Sequence, residues 1–183
     1  MFSPYYARAR RRAAEGAADP QNHCAVNVVL YGPKPAWTMT ERGRHALQRE
    51  AERLRIGASE WAWHGEQLQI EIDEVSVPWP RAVRGHVQVQ VPKRLEHAVE
   101  LAPGHHWCPI APRARVEVDL GGARWRGWGY LDSNRGDLPL ERSFRRWDWS
   151  RAHRAGGDAA VIYDVEAIGC APRSIGLGFG VDG

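Results

Sequence analysis

The residues best suited to acid chemistry lie in one stretch rich in tryptophan and arginine, 124–151 (RWRGWGYLDSNRGDLPLERSFRRWDWSR). If residues 128–132 are extended, their side chains alternate between two faces, so Trp128, Tyr130 and Asp132 share one face. One carboxyl group then stands at the end of a wall of aromatic rings. Because apolar rings exclude water, they favour the neutral form of a carboxyl group, which makes Asp132 a candidate general acid.

The same pattern has a purely structural interpretation. Trp and Tyr on a strand most often belong to a core, and an Asp at a strand end most often caps a turn. Residues 133–137 (SNRGD) are expected to form that turn, because Asn, Gly and Asp tolerate the backbone angles of turns. The pattern alone leaves both interpretations open.

The sequence of this stretch resembles the acyclic carotenoid 1,2-hydratases, also called hydroxyneurosporene synthases. The longest similar blocks are GYLDSNRGDLPLERSF (129–144) and WDWSRA (147–152). The resemblance implies cofactor-independent hydration of the terminal 1,2 double bond of an acyclic carotene such as neurosporene or lycopene. It also implies that the chain is cut at both ends relative to the family. Further similar blocks are FSPYYARARR (2–11), DPQNHCAVNVVLYG (19–32), IDEVSVPWPRAVRG (72–85) and PIAPRARVEVDL (109–120).

A second group of residues, GHHWC (104–108), gains its meaning from the same resemblance. His105 and Trp107 fit the His-x-Trp element that the family places before its Tyr-x-Asp element, here Tyr130 and Asp132. Asp132 would protonate the alkene, and His105 would accept a proton from the added water. The rings of Trp107, Tyr130 and Trp128 would stabilise the carbocation, and Tyr130 could equally orient the acid.

The resemblance also implies two residues that contact the substrate, Trp128 and Asn134. Asn134 and Asp137 otherwise fit turn formation better than catalysis.

A metal site is the alternative for the histidines, using His105, His106 and Cys108, with His23 and Cys24 as further ligands. Adjacent histidines on a strand point to opposite faces, so they do not easily close on one ion. No metal and no cofactor is therefore predicted. The three cysteines of the chain lie far apart and are odd in number, which fits a reducing compartment.

The charge pattern bears on partners. The 183 residues carry 25 Lys+Arg against 22 Asp+Glu, a net charge of +3, and four arginines fall within residues 8–12. We expect a cytoplasmic protein bound peripherally to the inner (photosynthetic) membrane of a bacterium, because no apolar run approaches the ~18 residues of a span. Nucleic acid is not expected as a partner, since the acidic residues among the arginines of 124–154 would repel phosphates.

The elements that position these residues are short strands. Apolar residues recur with period two in several segments separated by Gly and Pro, which predicts an antiparallel all-β fold. The resemblance implies tandem lipocalin-like (calycin-type) barrels, here incomplete, with 1–120 the rear part of the first domain and 121–183 the start of the second. An apolar-ligand binding protein, or an inactive remnant of a hydratase, is the competing function.

Two segments are expected to depart from this strand pattern. Helix is expected only near 5–15 and 41–54, the latter with an irregular connection as its alternative. The Gly-rich tail 169–183 is expected to lack the strand alternation with which the family pattern would continue.

Overall fold

A computed structural model describes residues 4–13, 18–153 and 156–180, and antiparallel strands dominate it. This confirms the all-β fold class. Two α-helices are present in the described residues, α1 (Pro4–Arg12) and α2 (Leu140–Ser143), with 3-10 turns at Pro20–His23 and Arg44–Ala46. The strands are β1 (Cys24–Leu30), β2 (Ala36–Arg42), β3 (Leu47–Arg49), β4 (Arg53–Ile56), β5 (Ser59–His64), β6 (Gln67–Val75), β7 (Ala82–Gln90), β8 (Val99–Ala102), β9 (His105–Leu120), β10 (Ala123–Gly136), β11 (Phe144–His153), β12 (Ala159–Ala167) and β13 (Arg173–Phe179).

The chain divides into two compact units. The first comprises residues 2–90 and 116–127, and the second comprises residues 91–115 and 128–183. Strands β9 and β10 are long enough to belong partly to each unit. The division into lipocalin-like domains at residue 120 stays a prediction.

The first unit contains the hairpin β1–β2 and a meander in which β3 to β7 pair in chain order. Beyond β7 the sheet continues with β9 and then β10. Within the described residues no pairing joins β10 back to β3, so the sheet is open and forms no closed barrel.

A buried carboxylate joins three strands of the first unit. The side chain of Glu74 on β6 is 1% exposed and accepts hydrogen bonds from Arg42 Nη2 on β2 at 2.8 Å and from Ser59 Oγ on β5 at 2.6 Å. A charge taken out of water is tolerated only when it is paired and hydrogen-bonded. This network therefore holds the hairpin β1–β2 to the meander.

The second unit contains the sheet β11–β12–β13, with β8 paired to its part of β9. Side chains of β12 alternate strictly, and the inward ones share a core with Leu101 and Ala102 of β8, Trp107 of β9 and Phe144 of β11. The inward set on β12 is Ala159, Val161, Tyr163, Val165 and Ala167.

One helix prediction is confirmed and the other is wrong, and the short helix α2 (Leu140–Ser143) falls in neither predicted segment. Helix α1 begins one residue before the predicted 5–15 and ends at Arg12; residues 14 and 15 are outside the described part. Residues 41–54 instead form the end of β2, a 3-10 turn, β3 and the start of β4. Leu47 pairs with Ile56 and Leu54 pairs with Trp61, so the seven-residue apolar spacing comes from a tight hairpin rather than from two helical turns.

Two predictions about loops are also wrong. Ser133 to Gly136 do not form the predicted turn; they are the last four residues of β10. The tail contains β13, in which Ile175, Leu177 and Phe179 pack partly buried against the core of the second unit. Glycines between these apolar residues conceal a period-two pattern.

No helix in the described part of the chain combines the length and the apolar character needed to cross a bilayer.

Gly85 generates a prediction for stability. Its φ is 147°, and a β-carbon there would overlap the backbone carbonyl oxygen of Asp119 on β9. We expect Gly85→Ala to lower the free energy of unfolding by about 3 kcal/mol, since neither backbone can yield cheaply. Gly127→Ala is the matched control, because nothing lies within 4 Å of its β-carbon position. Urea denaturation of both variants checks this, and equal midpoints would contradict it.

Candidate active site

Three of the four residues predicted as catalytic meet in one hydrogen-bonded group. Trp107 on β9 is 0% exposed, and its Nε1–H points at Asp132 Oδ2, 2.9 Å away, and at Tyr130 Oη, 3.0 Å away. The Tyr130 hydroxyl donates to the same Asp132 Oδ2 at 3.0 Å. We call Trp107, Tyr130 and Asp132 the acid group.

Strand alternation explains how this group forms. Tyr130 and Asp132 are two residues apart on β10 and therefore project to the same side. Trp107 belongs to the buried face of β9, whose burial alternates through residues 105 to 109. The Trp107 ring also packs edge-on against Tyr163 of β12, with centroids 4.9 Å apart, so its orientation is fixed from two sides.

The electrostatics of the group keep both phenols protonated. Burial raises the pKa of Tyr130 well above its usual value, and the nearby negative charge of Asp132 raises it further. The same two causes raise the pKa of Tyr163 to about 12. Because an indole N–H can only donate and Tyr130 keeps its proton, Asp132 Oδ2 is held as an acceptor of two hydrogen bonds.

His105, the fourth residue predicted as catalytic, has different neighbours. It is 6% exposed, and its ring packs edge-on against Phe144 with centroids 4.9 Å apart. Its Nδ1 is buried without a hydrogen-bond partner, and a β-carbon at Gly136 would collide with the ring. Burial lowers the pKa of His105, with a smaller contribution from His106, so the imidazole is neutral at pH 7.

The two residues predicted to contact substrate lie on β10 on either side of the acid group. Trp128 is 41% exposed, and the guanidinium carbons of Arg113 and Arg115 lie 3.5 and 3.7 Å from its ring centroid. Asn134 is exposed and lies two residues beyond Asp132 on the same strand. Trp128 thus already stacks with two cations, and Asn134 follows the acid group along β10.

Sequence reasoning missed Tyr163 and Arg151. The guanidinium carbon of Arg151 lies 5.1 Å from the Tyr130 ring centroid, and its nitrogens donate to the carbonyls of Pro112 and Gly129 at 3.3 and 3.2 Å. Tyr163 had a usable signal, because it is the only side chain with a hydrogen-bonding group on the inward face of β12. Arg151 had none, since many arginines surround it in the sequence.

The residues of the alternative metal site do not form a cluster. Among the described residues, no three His, Cys, Asp or Glu side chains are grouped to hold an ion. His23 Nδ1 lies 2.6 Å from Glu41 Oε1, Cys108 Sγ donates to the Leu95 carbonyl, and all three cysteines are free thiols.

The burial of His105 predicts a pH dependence of stability. Its pKa in the folded chain lies below the ~6.5 of an unfolded histidine, so the unfolded chain binds the proton first as the pH falls. The free energy of unfolding should be level above about pH 6.5 and should fall below it, by at most about 1.4 kcal/mol per pH unit from this residue. Denaturant titrations from pH 7.5 to 5.5 should show a smaller slope for His105→Gln. The exposed His97→Gln variant should keep the original slope, and an unchanged slope in His105→Gln would refute the assignment.

Comparisons with known proteins add the family. Acyclic carotenoid 1,2-hydratases from Rubrivivax gelatinosus and Thiocapsa roseopersicina are 48% and 49% identical to the whole chain, which covers 46% and 45% of their lengths. The protein of that name from Cereibacter sphaeroides is 40% identical, with 64% of its length covered. The chain thus spans about half the length of the first two curated relatives. No solved structure matches it.

The family model described as carotenoid hydratase CrtC matches residues 1–183, the full extent of the chain. On that match, the chain belongs to the carotenoid hydratase family.

Proposed function

We propose that this chain carries the acid group of an enzyme that adds water to the terminal 1,2 double bond of an acyclic carotene, without a cofactor. The observation that supports it most directly is the acid group itself, one carboxyl group held by an indole and a phenol. The relatives named acyclic carotenoid 1,2-hydratase supply the substrate class.

Protonation is the demanding step, because an isolated alkene is a weak base. This step requires a proton on Oδ1 of Asp132, because both hydrogen bonds to the carboxyl group go to Oδ2. The O–H bond breaks as the π electrons form a C–H bond at C2, and the cation is left at C1, where three carbon substituents stabilise it. The donors at Oδ2 stabilise the carboxylate that forms, which assists the transfer.

Water completes the reaction at C1. Its oxygen forms the C–O bond, and the proton it then loses passes to a base. His105 is suited to this role because its lowered pKa leaves the imidazole ring neutral at pH 7. Return of one proton to Asp132 resets the site, so one water is consumed for each double bond.

The aromatic residues divide into two roles. The rings of Trp107 and Tyr130 adjoin the proton donor and stabilise the cation, by about 2 kcal/mol for a desolvated ring. The contribution of Tyr130 is smaller, because Arg151 already lies over its ring. Trp128 already stacks with two guanidinium groups, so we assign it to contact with the polyene rather than to the cation. Asn134, exposed two residues beyond Asp132 on β10, is assigned to substrate contact.

The substrate determines the expected location. A long apolar polyene dissolves in lipid, so the protein should bind peripherally to the inner membrane from the cytoplasm. The last turn of α1 carries Arg10, Arg11 and Arg12, which favours anionic lipid.

The competing function is binding without turnover, as a lipocalin-like carrier or an inactive remnant. The open sheet favours it, because an unclosed barrel encloses a ligand poorly. In this view the lipocalin-like domains 1–120 and 121–183 still hold the carotene. Pigment that co-purifies with the chain and is never hydroxylated would identify this function.

The role of Asp132 can be tested in the full-length hydratase of Rubrivivax gelatinosus, by changing the residues that align with those named here. Asp132→Asn should lower turnover by about 10³-fold, because the amide keeps the shape of the carboxyl group but has no acidic proton. Tyr130→Phe should cost less, and His105→Ala least, since bulk water can accept the second proton. Lycopene incubation with chromatography of the 1-hydroxy product measures all three.

The control is Asp148→Asn, which removes an exposed carboxylate paired with Arg146 and should leave turnover near normal. Near-normal turnover of a folded Asp132→Asn variant would remove Asp132 from the mechanism. The acid would then have to be sought at Asp137.

A further inference from the structure

Two loops of the first unit lie side by side and leave their aromatic side chains in solvent. The first loop, 31–35 (YGPKP), joins β1 to β2, and the second, 76–81 (SVPWPR), joins β6 to β7. The Val77 N–H donates to the Trp37 carbonyl at 2.7 Å, and Thr38 and Ser76 form a β-bridge. We call these loops the tip pair.

The exposure of the tip pair is unusual for aromatic residues. Tyr31 is 90% exposed and Trp79 is 75% exposed, with Trp37 at 49% beside them. Together with Val29 and Val77 these rings border a groove of about 370 Å³. A contiguous apolar surface of this kind normally marks a binding site.

The charges of the tip pair identify the occupant. The residues that line the groove include Arg81 and no Asp or Glu, and Lys34 lies in the first loop, so both charges of the tip pair are positive. Trp and Tyr favour the interface between lipid headgroups and acyl chains, where the ring is buried and its polar group stays wet. Nearby Lys and Arg bind the phosphates of anionic lipids. We propose that the tip pair inserts into the headgroup region of an anionic phospholipid bilayer.

The second loop is held ready for insertion. Ser76 is 6% exposed, and its Oγ donates to the Trp79 carbonyl at 2.5 Å and accepts from the Arg81 N–H at 3.1 Å. These bonds fix the backbone on both sides of Pro80, so Trp79 projects outward without further ordering. Little conformational entropy is then lost on binding. This inference rests on the proposed function, because it identifies the membrane contact through which a carotene dissolved in lipid would reach the protein.

Vesicle binding of the 183-residue chain, measured without carotene, tests the proposal. The probes are phosphatidylcholine vesicles with and without about 30% phosphatidylglycerol, at low and high salt. Tyr31→Ala/Trp79→Ala should weaken binding to anionic vesicles about tenfold or more. Lys34→Gln/Arg81→Gln should weaken it about fivefold for each charge at low salt and much less at high salt.

The controls are taken from elsewhere in the same unit. Trp125→Ala removes a 46% exposed tryptophan, and Arg49→Gln/Arg55→Gln removes two exposed charges, so both should bind vesicles like the original chain. Thermal unfolding confirms that each variant is folded.

Two results would overturn the proposal. One is vesicle binding by the Tyr31→Ala/Trp79→Ala variant that equals that of the original chain. The other is a dimer in the absence of lipid that this variant abolishes, which would make a second copy the occupant. Vesicle binding does not depend on turnover. If the chain binds vesicles through the tip pair but hydrates no carotene, that result contradicts the hydration mechanism and supports the membrane contact.

Discussion

The buried indole N–H of Trp107 is the constraint on which the second unit depends. A donor cut off from water costs about 1–3 kcal/mol unless it finds an acceptor. Its acceptors are Tyr130 Oη and Asp132 Oδ2. A slip of one residue in β10 would turn both acceptors to the other face and leave the indole unsatisfied. The need to pair this donor therefore favours the observed strand register, and that register places the carboxyl group of the acid group.

The proposed chemistry follows from how charge is arranged around that carboxyl group. Arg151 lies above the Tyr130 ring, so the ring is less able to attract a further cation than an unoccupied one. The strongest counter-charge for a carbocation is then the carboxylate that Asp132 becomes on giving up its proton. Asp132 would first donate the proton and then, as a carboxylate, stabilise the carbocation. The arginines would only hold the aromatic rings in place, because their positive charge repels a carbocation.

The sequence predicted what depends on local alternation and missed what depends on distant pairing. The period-two segments became strands, and the shared face of Tyr130 and Asp132 follows directly from the two-residue repeat. Tyr163 joins the site from more than thirty positions away through sheet packing, which no local pattern records. The segment 41–54 misled because a hairpin between Leu47 and Ile56 spaces apolar residues as a helix does. Glycines in β13 hid a strand whose apolar residues alternate normally.

The network around Glu74 restricts how related sequences can diverge. Arg42, Ser59 and Glu74 come from three strands and satisfy one another in a dry environment. Losing any one of them leaves a buried charge or hydrogen-bond acceptor without its partner, which costs stability. Replacing all three with apolar side chains of similar volume can be tolerated. Evolution should therefore keep the trio together or exchange it as a set. In an alignment of homologues these positions should covary, giving a contact signal between strands that are distant in the chain.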